Sequence, residues 1–513
     1  RQLLVALHEA TLGKTFEEII EDEYNNIKPL EAQLIYLTIC TLNRLNVPIR
    51  AGVLSRIHDI PFSEFASRIF KPLEKVVFNN YSNVVRDFVY KTRHPHIAEI
   101  VFERVLKKPE EKFNEYIKCL NYLNIDYEDD KKAFRKMIQA RTLLEMFPTF
   151  ELVNDIFQKA KKIIGDDQYL YHQMAIYEMI RPNGNLNKSS EFLKMGLEIK
   201  DDYSMKHSFA ELNLRRASSS KTLIEMEGYL NEAERQSSTL IKNKPWEPHG
   251  YHTLIKSSIE KLKMYLNESE INSSIIEKVV IDTEKVLSDG LQQFPDNSFL
   301  LDADSVLASL LNDCERSMNS LTKAFESNHR NSLIAIRLAR NYIKRNDFSK
   351  VEDILIKALE ANNNEKKLHF LFAKYLIDTN KNNSDLILYH LKRSFTPGDN
   401  NYIAQILYGR QLFINSLYKE SEEFFKKLRE SRTPYDLRSK PRFSIIQTFL
   451  GEIKKIESFY CFIIRDKTRD SIYASINDTQ NEIWEKLTIR SRVSFKIGFT
   501  LVGPRAFDIV IEH

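Results

Sequence analysis

The sequence predicts a mainly α-helical chain that ends in a small five-stranded β-barrel. Three observations carry this. Glycine is scarce, at 13 of 513 residues, while long apolar-faced helical segments fill the first four-fifths of the chain. Small residues recur there every 34 to 36 positions. From Phe443 onward the apolar pattern changes from helical spacing to alternation, in five short runs.

Size and composition set the outer limits. Hydrophobic residues make up 42% and charged residues 28%, which is ordinary globular usage. The net charge of +4 does not by itself argue for nucleic acid, so any basic site must be local. Cys40, Cys119, Cys314 and Cys461 lie far apart, with no CxxC, and read as reduced thiols in a cytoplasmic protein. No apolar run approaches the ~18 residues of a membrane span, and no signal peptide is visible. Because Arg1 falls directly into helical periodicity, the true start of the protein is expected upstream.

Arg1 to Ala10 reads as one helix, and Thr15 with Glu18 as a capping box that opens a second. Gly13-Lys14-Thr15 resembles the end of a phosphate loop. That loop requires a glycine where His8 stands, and a preceding strand rather than a helix. Glu31 to Leu45 forms the next helix, Val47 to Ala51 breaks it, and Gly52 to His58 and Phe62 to Phe70 follow as short helices. Val76–Phe78 and Phe88–Tyr90 read as two strands of a hairpin. Three helices and a hairpin are the layout of a winged helix, over residues 34–105, after a helical segment over 1–33. No basic recognition helix stands out, since Gly52 to His58 carries only Arg56.

The phrases RQLLVALHEATLGKTFEEII, LTICTLNRLNVPIRAGVLSRIHDI and RHPHIAEIVFE resemble the helical lid and winged helix that follow the nucleotide domain of STAND-class NTPases, the NLR-like sensors that include bacterial antiviral ones. The resemblance implies ATP or ADP as cofactor of the full-length protein and none in this portion. It also implies that a winged-helix histidine, here His94 or His96, touches the nucleotide phosphate and locks the resting state. The motif is His-Pro-His rather than Met-His-Asp. The alternative is that Pro95 opens a helix at its first position and a neighbouring histidine caps it. His94, His96 and Glu99 do not suffice for a metal site.

Residues 106–280 read as divergent paired helices and 281–431 as clearer repeats. Gly290, Ala324, Ala358 and Arg393 are spaced 34, 34 and 35, and Ala339, Ala373 and Gly409 are spaced 34 and 36. Earlier pairs are Ala160 with Gly196 and Ala175 with Ala210. A 34-residue helix–turn–helix unit with small residues where helices cross resembles the tetratricopeptide repeat. The resemblance implies a protein-binding concave face lined by the first helix of each pair. Arg340, Lys374 and Arg410 follow the small residues and form a basic ladder, flanked by Phe370, Phe413, Ile336, Ile343, Ile377 and Ile406. The ladder reads either as a partner groove or as a row of solvated charges.

Residues 432–444 form a basic linker; Lys426 to Arg442 holds seven Lys/Arg against two Asp/Glu. Over 445–513 the alternating runs suggest a closed barrel. Ser458-Phe459-Tyr460-Cys461-Phe462-Ile463, Ile472-Tyr473-Ala474-Ser475 and the closing Gly503-Pro504-Arg505-Ala506 resemble the cold-shock domain, an OB-type fold. In that family Tyr460, Phe462 and Tyr473 would stack the bases of a single strand. Here the motif lysine and glycine are replaced by Ser458 and Phe459, the motif histidine by Ser475, and the tail holds ten basic and nine acidic residues. The barrel therefore reads as a structural cap or docking module, with nucleic-acid binding as the alternative.

No nucleophile–base pair, carboxylate constellation or metal set is visible, so this chain is not expected to be an enzyme. The leading expectation is the sensor portion of a STAND NTPase. Its repeats would bind a phage-encoded protein trigger, its winged helix would relay the event to an upstream nucleotide domain and effector, and self-oligomerisation could accompany activation. The other expectation is an RNA-binding adaptor built from the barrel and a protein-binding scaffold. Neither involves a membrane.

Overall fold

The computed structural model describes residues 16–267, 273–379, 383–396, 401–429 and 435–512. The helix read at Arg1 to Ala10, the Gly13-Lys14-Thr15 run and Thr15 of the capping box lie outside the described residues. Two compact units divide at Gly290 and Leu291. No described helix is long and apolar enough to cross a membrane.

The first unit opens with α1 (Phe16–Asn25) and α2 (Leu30–Asn43). Ile35, Tyr36, Ile39, Cys40 and Leu42 of α2 are all buried, so this helix is the centre of the local core. Strand β1 (Ile49–Arg50), α3 (Ala51–His58), β2 (Val77–Ser82), β3 (Asp87–Thr92) and α4 (Pro95–Val105) follow. The three strands form an antiparallel sheet in the order β1-β3-β2, with Ile49 opposite Tyr90 and Tyr81 opposite Phe88.

Two details depart from the sequence reading. The break at Val47 to Ala51 contains the edge strand β1, too short for periodicity to register. The helix expected from Phe62 to Phe70 is a 3₁₀ turn at Phe62–Glu64, followed by a π-type turn at Ala66–Phe70.

Helix pairs continue through α5 (Pro109–Tyr122), α6 (Glu128–Met137), α7 (Ala140–Met146), α8 (Phe150–Ile164), α9 (Gln168–Ile180), α10 (Leu186–Ile199), α11 (Tyr203–Ser219), α12 (Leu223–Asn243), α13 (Pro248–Leu266) and α14 (Ser273–Gln293). Side-chain caps at Asp167, Asn185, Asp202 and Thr222 start several of them by accepting first-turn N–H groups. Ala160, Ala175 and Ala210 are fully buried at the crossings.

The second unit stacks α15 (Ser298–Leu310), α16 (Cys314–Ser327), α17 (Ser332–Lys344), α18 (Phe348–Ala361), α19 (Lys366–Asp378), α20 (Ser384–Arg393), α21 (Tyr402–Ile414) and α22 (Tyr418–Arg429) as tetratricopeptide-like antiparallel pairs. Ala324, Ala339, Ala358 and Ala373 are fully buried, as close helix approach requires. At the end of α20 the buried small residue is Ser394; Arg393, expected there, is exposed, with its guanidinium over the Tyr389 ring.

Part of the expected linker is a short helix, α23 (Tyr435–Ser439), and β4 (Arg442–Ile456) begins inside the range read as linker. With β5 (Tyr460–Arg465), β6 (Ser471–Ser475), β7 (Arg492–Thr500) and β8 (Gly503–Ile511), β4 closes a barrel in the order β4-β5-β6-β8-β7. The β6–β8 pair is parallel and the others antiparallel, an OB-like order. Alternate residues Cys461, Ile463, Val493, Phe495, Ile497 and Phe499 fill the interior.

Candidate functional site

The first helices of two successive repeats, α17 and α19, bound a groove of about 670 Å³. Its apolar walls come from Ile336, Ile343, Phe348, Phe370, Leu371 and Tyr375. Ile336, Leu371 and Tyr375 also belong to the repeat core, whereas Leu333 and Phe348 keep exposed apolar surface at the groove. Arg340, Lys367 and Lys374 line the same groove; Asp378 is the one acid lining it. Arg340 and Lys374 are exposed and have no ion-pair partner among the described residues. The site thus combines apolar depth with uncompensated positive charge. Three of the five sequence-predicted partner residues meet here: Arg340, Lys374 and Phe370.

The other two lie elsewhere, and the ladder stops at its second rung. Arg410 donates its Nε–H to the main-chain oxygen of Phe443, 2.8 Å away at the start of β4. Burial pushes its guanidinium below the ordinary value. Phe413 is buried against Phe499 of the barrel, with ring centroids 5.4 Å apart, and the Arg465 guanidinium stands 4.6 Å from its ring centre. The barrel covers the last repeat through β7 and β8, with Phe413 and Phe425 packed on Phe499 and Phe425 beside Gly503. Arg465 is itself held by a bidentate pair with Asp470 at 2.8 and 2.9 Å.

On the barrel, Tyr460, Phe462 and Tyr473 form a triad with ring centroids 5.8 to 5.9 Å apart. Phe462 pairs with Tyr473 across the β5–β6 ladder, so both rings stand on one face, and all three are half-buried. The ladders put Lys455, Phe462, Tyr473 and Arg505 in one row across four strands. Lys455 lies over the Tyr460 ring at 5.8 Å, and Arg505 over Tyr473 at 5.4 Å. Both cations are matched locally, Lys455 by Glu457 at 3.0 Å and Arg505 by Asp478.

His94 is the N-cap of α4: its Nδ1 accepts the His96 N–H at 3.0 Å, and Pro95 fills the first helical position. Both histidines are half-buried. Among the described residues no group of three or more His, Cys, Asp or Glu is arranged for a metal ion.

Two polar constellations escaped the sequence reading. Arg50 is buried and forms a bidentate pair with Asp130, both bonds 2.8 Å, a further bond to Asp87 at 3.2 Å, and a stack 3.5 Å from the Tyr127 ring centre. It ties the three-stranded sheet to α6. In the second unit the Nδ1 atoms of buried His369 and His390 lie 2.8 Å apart, and His369 Nε2 lies 2.9 Å from the Asn363 carbonyl oxygen. A carbonyl only accepts, so His369 is protonated at Nε2 and its Nδ1 accepts from His390. The partners in both sets are far apart in sequence, and no local motif marks them.

No family model and no curated relative matches the sequence. Solved structures with helical repeats align at low similarity. A tetratricopeptide-repeat protein of Thermus thermophilus is 17% identical over 41% of this chain and 99% of its own, with a TM-score of 0.32. A tetratricopeptide repeat protein of Parabacteroides merdae is 11% identical over 53% and 96%, with a TM-score of 0.31. Human IFIT1, solved as a dimer with m7Gppp-AAAA, is 13% identical over 64% and 88%, with a TM-score of 0.34.

Proposed function

We propose that this chain is a recognition and relay portion of a STAND-type NTPase, in which the α17–α19 groove holds a segment of a protein trigger. The observation that carries the reading is the pair of unpaired cations, Arg340 and Lys374, above an apolar groove. Two uncompensated charges beside exposed apolar surface favour a partner over solvent. In this reading the trigger is phage-encoded, the winged-helix module over 34–105 relays binding through the Arg50–Asp130 tie, and nucleotide is handled outside these residues. His94 and His96 are the candidates for sensing it.

The test is protection of cells expressing the complete reading frame against a phage panel, compared with an Arg340→Glu/Lys374→Glu variant. Protection lost in the variant, at an unchanged melting temperature, supports the reading. Protection that survives the double reversal, or a complete reading frame without a phosphate loop, overturns it.

A second reading rests on the Lys455–Phe462–Tyr473–Arg505 row. Three clustered rings with cations at both ends suit the stacking of single-stranded nucleic acid. The pairing of those cations with Glu457 and Asp478 weighs against strong phosphate binding. It favours a barrel that caps the repeats.

A further inference from the structure

We infer that the open groove between α17 and α19 takes an extended acidic peptide, with carboxylates on either side of a bulky apolar side chain; this rests on the groove reading above. The third repeat supplies the observation that identifies the occupant. There the position equivalent to Arg340 and Lys374 is Arg410, and it is already engaged by an extended segment of polypeptide. Its Nε–H meets the Phe443 carbonyl where the chain enters β4. Phe443 has φ of 50°, in the left-handed region, so the chain turns sharply at the residue whose oxygen Arg410 holds. The chain's own strand thus meets the third rung through an acceptor oxygen, while the neighbouring Phe413 packs on Phe499 of β7.

The two preceding rungs repeat that chemistry without an occupant. Ala339 and Ala373 place Arg340 and Lys374 one residue after a buried crossing, as Gly409 places Arg410. Ile343 and Phe370 supply the apolar surface there, as Phe413 does at the third rung. At Arg410 the partner is a backbone oxygen, that of Phe443. Arg340 and Lys374 are exposed, and Lys367 adds a third basic side chain against the lone Asp378. Three cations against one acid call for carboxylates, because only an acidic partner supplies the complementary charge. The walls between them have room for one large side chain.

The measurement is fluorescence anisotropy of the whole chain with fluorescein-labelled Gly-Asp-Glu-Leu-Trp-Glu-Asp-Gly. Its comparisons are the same peptide with Asn and Gln for the acids, and one with Ala for Leu and Trp. The acidic peptide is expected to bind at least about tenfold more tightly than either. Arg340→Glu/Lys374→Glu should remove the binding. Asp378→Asn should tighten it by about twofold, a gain that misfolding cannot imitate. Equal binding of the acidic and amide peptides, or no binding of any, overturns the acidic ligand. The groove reading has its own test, protection against phage in the double reversal, so the two failures are distinct.

Discussion

The ring of Phe425 occupies the space that a Cβ on Gly409 would need. Gly409 is on α21 and Phe425 on α22. The same fully buried ring stacks on Phe499 of β7, centroids 6.4 Å apart, and lies 3.7 Å from the Cβ position of Gly503. The last helix pair and the barrel therefore share one core.

That sharing predicts that Gly409→Ala destabilises the barrel and the last repeat together. Overpacking of this kind costs about 1–3 kcal/mol, and Phe425→Ala about 3–5 kcal/mol. In a Trp246→Phe background, urea unfolding followed by the fluorescence of Trp484, which is buried in the barrel, and by hydrogen exchange of the α21 and α22 amides should shift together. Separate transitions for the two probes would show independent domains.

A second prediction concerns the buried Arg50–Asp130 pair. Arg50→Ala leaves the Asp130 carboxylate buried with only the Asn124 N–H, 2.9 Å away, to compensate it. Removing one partner of such a pair costs about 3–5 kcal/mol. A loss below about 1 kcal/mol by denaturant titration would show that the tie is not structural. If the tie also relays signals, Arg50→Lys, which keeps charge but not the bidentate fork, should uncouple trigger binding from response.

A third follows from histidines kept neutral by burial. His390 is pushed down to about 4 by desolvation, then by His369 and Arg393; His58 is pushed to about 4 by desolvation, then by Lys118. The unfolded chain binds these protons near pH 6.5 and the folded chain only near pH 4. Their stabilisation is complete above pH 6.5 and is lost as pH falls from 6.5 to 4. His390→Asn should flatten that slope by up to about one proton, about 1.4 kcal/mol per pH unit. An unchanged slope would mean that His390 is protonated in the fold.

A fourth concerns the aromatic triad. If the barrel is a cap, the whole chain should bind a fluorescent single strand weakly at ~0.15 M salt, with Phe462→Ala changing little. Micromolar affinity with a steep salt slope, lost in Phe462→Ala, would establish nucleic-acid binding on the Lys455–Arg505 row.

Much of the architecture was legible because it is periodic. Buried Ala324, Ala358, Ala339 and Ala373 recur at the repeat length, and Cys461, Ile463, Phe495 and Ile497 alternate as strands do. The groove was legible at Arg340, Phe370 and Lys374 because neighbouring repeats place equivalent residues side by side. The fate of Arg410 was not, since a carbonyl 33 residues downstream decides it, and nothing in the helix announces that a strand will land there. Nor was the Arg50–Asp130 pair, whose partners stand 80 residues apart. The capping role of His94 was legible in the His-Pro-His run, and its bond to His96 is what α4 requires locally.

Site-specific cross-linking decides whether a trigger occupies the α17–α19 groove. A benzoylphenylalanine in place of Phe370, inside the groove, is compared with one in place of Phe459, which is 72% exposed on the barrel. In cells challenged with a phage that provokes the response, the account predicts a cross-linked phage protein at position 370, none at 459, and loss of the product when Arg340→Glu and Lys374→Glu are added. A cross-link at 459 alone, or one at 370 that persists through the charge reversal, would contradict it.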